Sequence, residues 1–237
     1  MSPNSPLAIL TPSRERPDNI ARLANAIHAT ATGPWELFVG LDDDDPAMDG
    51  YQKTIYADLD TDVWAHLSVV IRPRRNLVEW TNYLAKQAAA DGYPYLASLG
   101  DDHLPRTPGW DIALTRACTL FGPVGYAYGD DLLRPDLPTA WVQSTAIYEA
   151  LGWMMLPTCE HLYVDNVTLD LGHAADRIAR LDHIVIEHMH PAAGKAAEDD
   201  SYRASNSAER VNADRAAYER WVRHGLTGHA ETIRSLR

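Results

Sequence analysis

Tyr95-Leu-Ala-Ser-Leu-Gly-Asp101-Asp102-His103 is an apolar run that stops abruptly at two adjacent carboxylates. A short apolar run bounded by turn residues reads as a buried strand, and the C-terminal end of such a strand is where an open α/β sheet places its ligands. Neighbouring Asp side chains repel unless a cation or hydrogen-bond donors compensate. The pair therefore points to a hard divalent ion carrying a phosphorylated ligand. An isolated Asp-Asp more often closes a solvated turn, so its flanks must decide.

Upstream, strand-like and helix-like segments alternate. Leu7-Ala-Ile-Leu10 is a short strand that ends in Thr11-Pro-Ser-Arg-Glu-Arg-Pro17, and Asp18 is placed to cap a helix through Ile20, Leu23, Ala24 and Ile27. Trp35–Leu41 is a second strand stopped by aspartates, and Leu67–Ile71 a β-branched third closed by Arg72-Pro-Arg-Arg75. Residues 51–66 between them are amphipathic and carry no assignment. Asn76 opens a helix with Leu77, Trp80, Leu84 and Ala88 on one stripe, which leads into the strand at Tyr95. Successive βα units predict an α/β protein with a mostly parallel central sheet covered on both faces.

Downstream, a helix is expected from Thr107-Pro-Gly-Trp through Leu114 and Cys118, a strand over Val124–Tyr128, and a helix from Tyr163-Val-Asp165-Asn through Leu169, Leu171 and Ile178. Ala140–Leu151 holds a strand-like then a helical stretch. Ile184–His190 reads as a strand whose alternation sets Ile184, Ile186, His188 and His190 on one face. A polar loop follows Pro191 to about Asn206, long enough to be a lid. A closing helix carries Val211, Tyr218, Trp221 and Val222.

The chain has 237 residues, 46% of them apolar and 23% charged, which suits one sizeable core. No segment approaches the roughly 20 apolar residues of a membrane span, and the N-terminal residues lack a signal peptide's basic and apolar regions, so a cytoplasmic location is expected. Cys118 and Cys159 are too few for a disulfide framework or a four-thiolate zinc site and are expected in the core. The net charge of -12 argues against broad neutralisation of nucleic-acid phosphates. Acidic runs at 42–45, 101–102, 130–131 and 198–200 concentrate the excess, and those that close apolar segments are candidates for a site.

In order and spacing these parts resemble the GT-A-fold nucleotide-sugar glycosyltransferases, in particular the family-2-like group and its short phage-type relatives. The resemblance covers roughly Leu7 to Pro191. It rests on Ile-Leu-Thr11-Pro-Ser-Arg-Glu-Arg-Pro, Val-Gly-Leu-Asp42-Asp-Asp-Asp-Pro, Gly-Asp101-Asp102-His with Pro108-Gly-Trp110 behind it, Tyr-Val-Asp165-Asn and His188-Met-His190. It implies a single GT-A domain over residues 1–190, with 191–237 a mobile loop and C-terminal helix packed on it. A UDP- or GDP-sugar would be the donor and a hydroxyl the acceptor, on a protein, glycan or lipid-linked sugar sooner than on modified DNA.

The same resemblance distributes the roles. Asp42, with Asp44 as its alternative, would accept from the base; Thr11, Ser13, Arg14 and Arg16 would sit beside base and ribose, and Arg75 would pack on the nucleotide. Asp101 would hold the ribose and Asp102 a Mn²⁺ or Mg²⁺ ion bridging the diphosphate, although Leu99 and Gly100 replace the earlier Asp of the usual Asp-x-Asp. Imidazole suits Mn²⁺, so His188 or His190, with His190 preferred, would be a second metal ligand. Lys195 could reach the diphosphate from a closed lid. Asp165 would be the general base of an inverting transfer, without the paired Glu such enzymes carry unless Glu160 serves. Trp141, in a polar setting, is the best of three tryptophans to stack on a sugar. A sugar-phosphate nucleotidyltransferase is the alternative enzyme, weakened by the absence of glycine in the first loop. A non-catalytic nucleotide- or carbohydrate-binding module is the other.

Overall fold

The structure, a computed structural model, describes residues 6–195, Arg203 and residues 207–237. Its strands are β1 (Leu7–Ser13), β2 (Trp35–Asp42), β3 (Leu67–Arg72), β4 (Tyr95–Ser98), β5 (His103–Pro105), β6 (Tyr126–Asp130), β7 (Trp141–Ser144) and β8 (Ile178–His188). They form one sheet in the order β3-β2-β1-β4-β7-β6-β8-β5. β3, β2, β1 and β4 pair in parallel, β6 pairs in parallel with β8, and β7 runs antiparallel to both β4 and β6. Because one reversed strand separates the two parallel groups, β1, β2, β4, β6 and β8 all end at the same sheet edge. β5 is antiparallel to β8 and starts there, with His103 opposite His188.

The helices are α1 (Pro17–Thr30), α2 (Met48–Lys53), α3 (Thr61–Trp64), α4 (Leu77–Ala90), α5 (Trp110–Ala117), α6 (Thr145–Leu151), α7 (Val164–Ala175), α8 (Ala208–His224) and α9 (Leu226–Ser235), with α2 continuing as a π turn over Thr54–Asp58. Strand alternation explains the two cores. Leu7 and Ile9 of β1 join Ile20, Leu23 and Ile27 of α1 on one face, while Ala8 and Leu10 join Val78, Trp80 and Leu84 of α4 on the other. The second core also takes Trp221 of α8 and Ile233 of α9.

Several expected boundaries move. Asp18 does not cap α1: the cap position is Arg16, without a side-chain bond, because Pro17 already supplies helical φ at the first turn and Asp18 falls inside it. The helix through Asp165 ends at Ala175, and Ile178 starts β8 instead, after Asp176 takes a left-handed φ of 54°. Asn76 caps α4 with a full capping box to Glu79. Trp141 is fully buried in the second core, so its ring has no face free for a sugar. Both cysteines are buried and unpaired. Of the expected lid, residues 196–202 and 204–206 lie outside the described residues. Among the described residues no helix is long and apolar enough to cross a membrane.

Candidate active site

The shared sheet edge gathers the ends of five strands. Ser13 comes from β1, Asp42 from β2, Asp101 and Asp102 from the turn after β4, Asp131 from beyond β6, and His188 from β8. Ligand sites of open α/β sheets lie at such edges.

Asp101 belongs to the first loop. Its Oδ2 accepts from Ser13 Oγ at 2.5 Å, and its Oδ1 lies 3.3 Å from Arg16 Nη1 and 3.4 Å from Asn19 Nδ2. Tyr51 extends the network: its hydroxyl accepts from Arg16 N at 3.0 Å and stands 2.8 Å from Ser13 Oγ. Burial, then the charge of Asp102, pushes the Asp101 carboxyl up against the pull of Arg16 and Ser13. The Thr11 hydroxyl donates to Leu99 O at 2.9 Å, tying β1 to the end of β4.

Asp42, only 3% exposed, is held by three donors: Trp80 Nε1 at 2.7 Å, Arg75 N at 3.0 Å and Arg14 Nη1 at 3.0 Å. Arg14 also bonds Asp44 at 2.6 Å. Trp80 reaches Asp42 because residue 40 is glycine; a Cβ there would lie 2.7 Å from the indole. The Arg75 guanidinium stands over the rings of Tyr83 and Trp80, 5.3 and 5.9 Å from their centroids.

Asp102 meets two imidazoles. Oδ1 lies 3.3 Å from His103 Nδ1, and Oδ2 lies 3.4 Å from His188 Nε2. Burial would raise the Asp102 carboxyl, but the two histidines outweigh it and hold it well below the usual range. Burial likewise would depress His188, yet Asp102 and Asp131 lift it to about 9. Asp102, His103 and His188 each offer a ligand atom within 4.8 Å of the others.

Three observations fit this group to a divalent cation. Gly100 N donates to His103 Nδ1 at 3.1 Å, so in the neutral ring this nitrogen is an acceptor and gives Asp102 Oδ1, 3.3 Å away, no proton; a nearby cation would relieve the approach of the two acceptors. Buried His103 Nε2 and His188 Nδ1 have no hydrogen-bond partner, although Asp131 Oδ2 stands 3.6 Å from the latter. A Cβ on Gly100 would lie 2.8 Å from both Asp102 Oδ1 and His103 Nδ1, so glycine keeps the cradle open. With His188 Nε2 on a metal, Asp131 behind Nδ1 would complete a carboxylate–histidine–metal arrangement.

His188 lies directly against Asp102, and the His190 ring sits 4.8 Å from that of His188. Asp165 lies in the first turn of α7, with Asn166 N donating to its Oδ1 at 2.8 Å. Burial raises its carboxyl, opposed by that bond and by the charges of Arg134 and His188. Glu160 does not join it, since its carboxylate bonds Arg210. Lys195 is paired with Glu187 at 2.8 Å, not free for a diphosphate. Sequence reasoning missed His103, Asp131, Tyr51 and Trp80. The run Asp130-Asp131 closing β6 was the visible signal for one; the others depend on pairings that only the fold creates.

No protein-family model matches the chain, and no curated protein matches it. Solved structures do. The mannosyltransferase PcManGT from Pyrobaculum calidifontis, in complex with GDP-Man and Mn²⁺, superposes with a TM-score of 0.60 at 13% identity over 96% of this chain and 72% of its own. Residues 1–349 of S. aureus TarS in complex with UDP give 0.57 at 13% identity over 87% of this chain and 70% of TarS 1–349. Glucosyl-3-phosphoglycerate synthase from Mycobacterium tuberculosis, in complex with Mn²⁺, UDP and glucosyl-3-phosphoglycerate, gives 0.53 at 12% identity over 91% of this chain and 80% of its own. The chain therefore has the GT-A fold of nucleotide-sugar glycosyltransferases.

Proposed function

We propose that the protein is a metal-dependent glycosyltransferase that moves a sugar from a UDP- or GDP-sugar to an acceptor hydroxyl with inversion, Asp165 acting as general base. The observation that carries this reading is the division of labour between adjacent carboxylates: Asp101 is locked to the β1 loop, while Asp102 lies against a nitrogen of each of two stacked imidazoles. Asp101 and Asp42 offer acceptors to ribose and base, and Arg75 offers a cation held over aromatic rings. Asp102 and His188, with His103 beside them, would hold Mn²⁺ or Mg²⁺, and the imidazoles favour Mn²⁺. When bound, such an ion neutralises charge on the departing diphosphate. Asp165, with its proton affinity raised by burial, takes the acceptor proton as the hydroxyl attacks the anomeric carbon from the face opposite the leaving group.

Calorimetry of UDP and GDP with and without Mn²⁺, coupled to nucleotide release from their sugars, tests the proposal. Binding is expected only with metal, and Asp165→Asn is expected to bind nucleotide but lose about 10²- to 10⁴-fold in turnover. Metal-independent binding, or none to either nucleotide, would overturn it.

A further inference from the structure

The sheet has two outer strands, and only one of them is blunted. β5, at one end, is three residues long and finishes in Pro105, which has no amide proton to offer. β3, at the other, is six residues long, includes Val69, Val70 and Ile71, and carries no proline, lysine or register shift against β2. None of its residues is buried. Its inward bonds identify its outward ones: the carbonyls of His66 and Arg72 accept from Leu37 N and Asp43 N on the β2 side, at 2.8 Å each. Alternation along the strand then directs the N–H and C=O groups of Leu67, Val69 and Ile71 to the open side. Among the described residues no further strand meets them. An edge of this length and composition is a template for another strand.

Apolar surface continues beside the strand. Ile71 is 49% exposed and shares with Val69 and Tyr56 the lining of an open cavity of about 470 Å³. Tyr56 is itself exposed, and its ring lies 6.3 Å from that of exposed Trp64, just ahead of β3. Contiguous apolar surface of this kind marks an interaction site. The charges say which partner it fits. Asp60 and Asp62 precede β3 while Arg72 and Arg74 close it, all four are exposed, and none enters an ion pair among the described residues. A segment acidic at one end and basic at the other is complementary to itself when reversed. Two copies with antiparallel β3 strands bring the arginines of each toward the aspartates of the other, and a two-fold interface of that kind closes at two. Paired residues must both turn their amides to the partner strand, which sets Leu67 opposite Ile71 and Val69 opposite its own counterpart. The net charge of -12 repels a second copy at long range, and the opposed strand ends offset that repulsion at contact.

We propose that the β3 edge joins two copies of this chain into a two-fold dimer with one continuous sheet. The ligand edges of the two sheets then face opposite ways, so each site stays complete within its own chain. Sedimentation equilibrium of the full chain over a range of concentrations, without nucleotide or metal, measures the association, and amide hydrogen exchange reports the surface used. A dimer with a Kd below about 100 µM is expected, with the amides of Leu67, Val69 and Ile71 protected only at concentrations where it forms. Ile71→Lys, at a half-exposed position, should keep the fold and weaken association by about tenfold or more, because a lysine on an edge blocks strand pairing. Arg74→Glu should weaken it as well, and adding Asp62→Lys to that variant should recover part of the loss. A chain that stays monomeric at every concentration, its edge left to a strand of some other protein, overturns the proposal. So does a dimer that Ile71→Lys and Arg74→Glu leave unchanged, or one in which the three amides exchange freely.

Discussion

At the scale of single residues, the site depends on what glycine leaves out. Gly100 has no side chain where a methyl group would press on both Asp102 Oδ1 and His103 Nδ1 at 2.8 Å. Neither neighbour can retreat cheaply, because His103 is buried and stacked on His188, and Asp102 lies against a nitrogen of each ring. Gly100→Ala should therefore leave the sheet intact but spread the three ligand atoms, weakening Mn²⁺ by about 10- to 100-fold, the range seen when a metal ligand's support is removed. Electron paramagnetic resonance of free Mn²⁺ during titration measures this directly, and wild-type affinity in the variant would show that the cradle is not what glycine is for. Gly40 makes the parallel case at Asp42, proposed to meet the base, since it admits the Trp80 indole that holds that carboxylate.

At the scale of elements, helix α8 anchors the segment that leads to Asp165. Asp214 of α8 is buried and accepts from three successive amides, Glu160 N at 2.9 Å, His161 N at 3.0 Å and Leu162 N at 2.7 Å. These bonds fix the segment that enters α7 through Tyr163. Hydrogen bonds to a charged acceptor contribute more than neutral ones, and buried amides left without a partner are costly. Asp214→Ala is accordingly expected to destabilise the fold by about 2–4 kcal/mol, and to slow turnover as Asp165 loses its support; denaturant titration and rates read the two effects, and an unaltered midpoint would refute it. None of this was legible in the sequence, where Asp214 is one acid among many on a polar helix and its partners lie more than 50 residues away. Apart from residues 51–66, the first half of the molecule was legible because its elements announce themselves locally: apolar runs of strand length, helical stripes such as Leu77, Trp80, Leu84 and Ala88, and Asn76 at a helix start. The second half was less so. β5 is three residues long, and Asp131 and His103 acquire meaning only when β8 is laid beside β6 and β5.

At the scale of the whole molecule, the reversal at β7 is what turns two parallel groups of strands into one site. The β3-β2-β1-β4 group carries the residues assigned to the nucleotide, and β6 and β8 carry Asp131 and His188; with β7 antiparallel to both β4 and β6, the two sets of C-terminal ends fall on the same edge. Nucleotide and cation would therefore bind across the join between the groups, and a ligand that bridges them binds the folded chain and not the unfolded one. Such linkage adds about 2.7 kcal/mol when the ligand stands at 100 times its Kd. For a chain of 237 residues that amounts to a rise in Tm of roughly 5–10 °C. UDP or GDP with Mn²⁺ should produce the rise, EDTA should remove it, and Asp102→Asn should not show it while melting near the wild-type temperature without ligand. A shift of the same size with nucleotide alone would mean that the two halves of the sheet are not joined through a cation at Asp102.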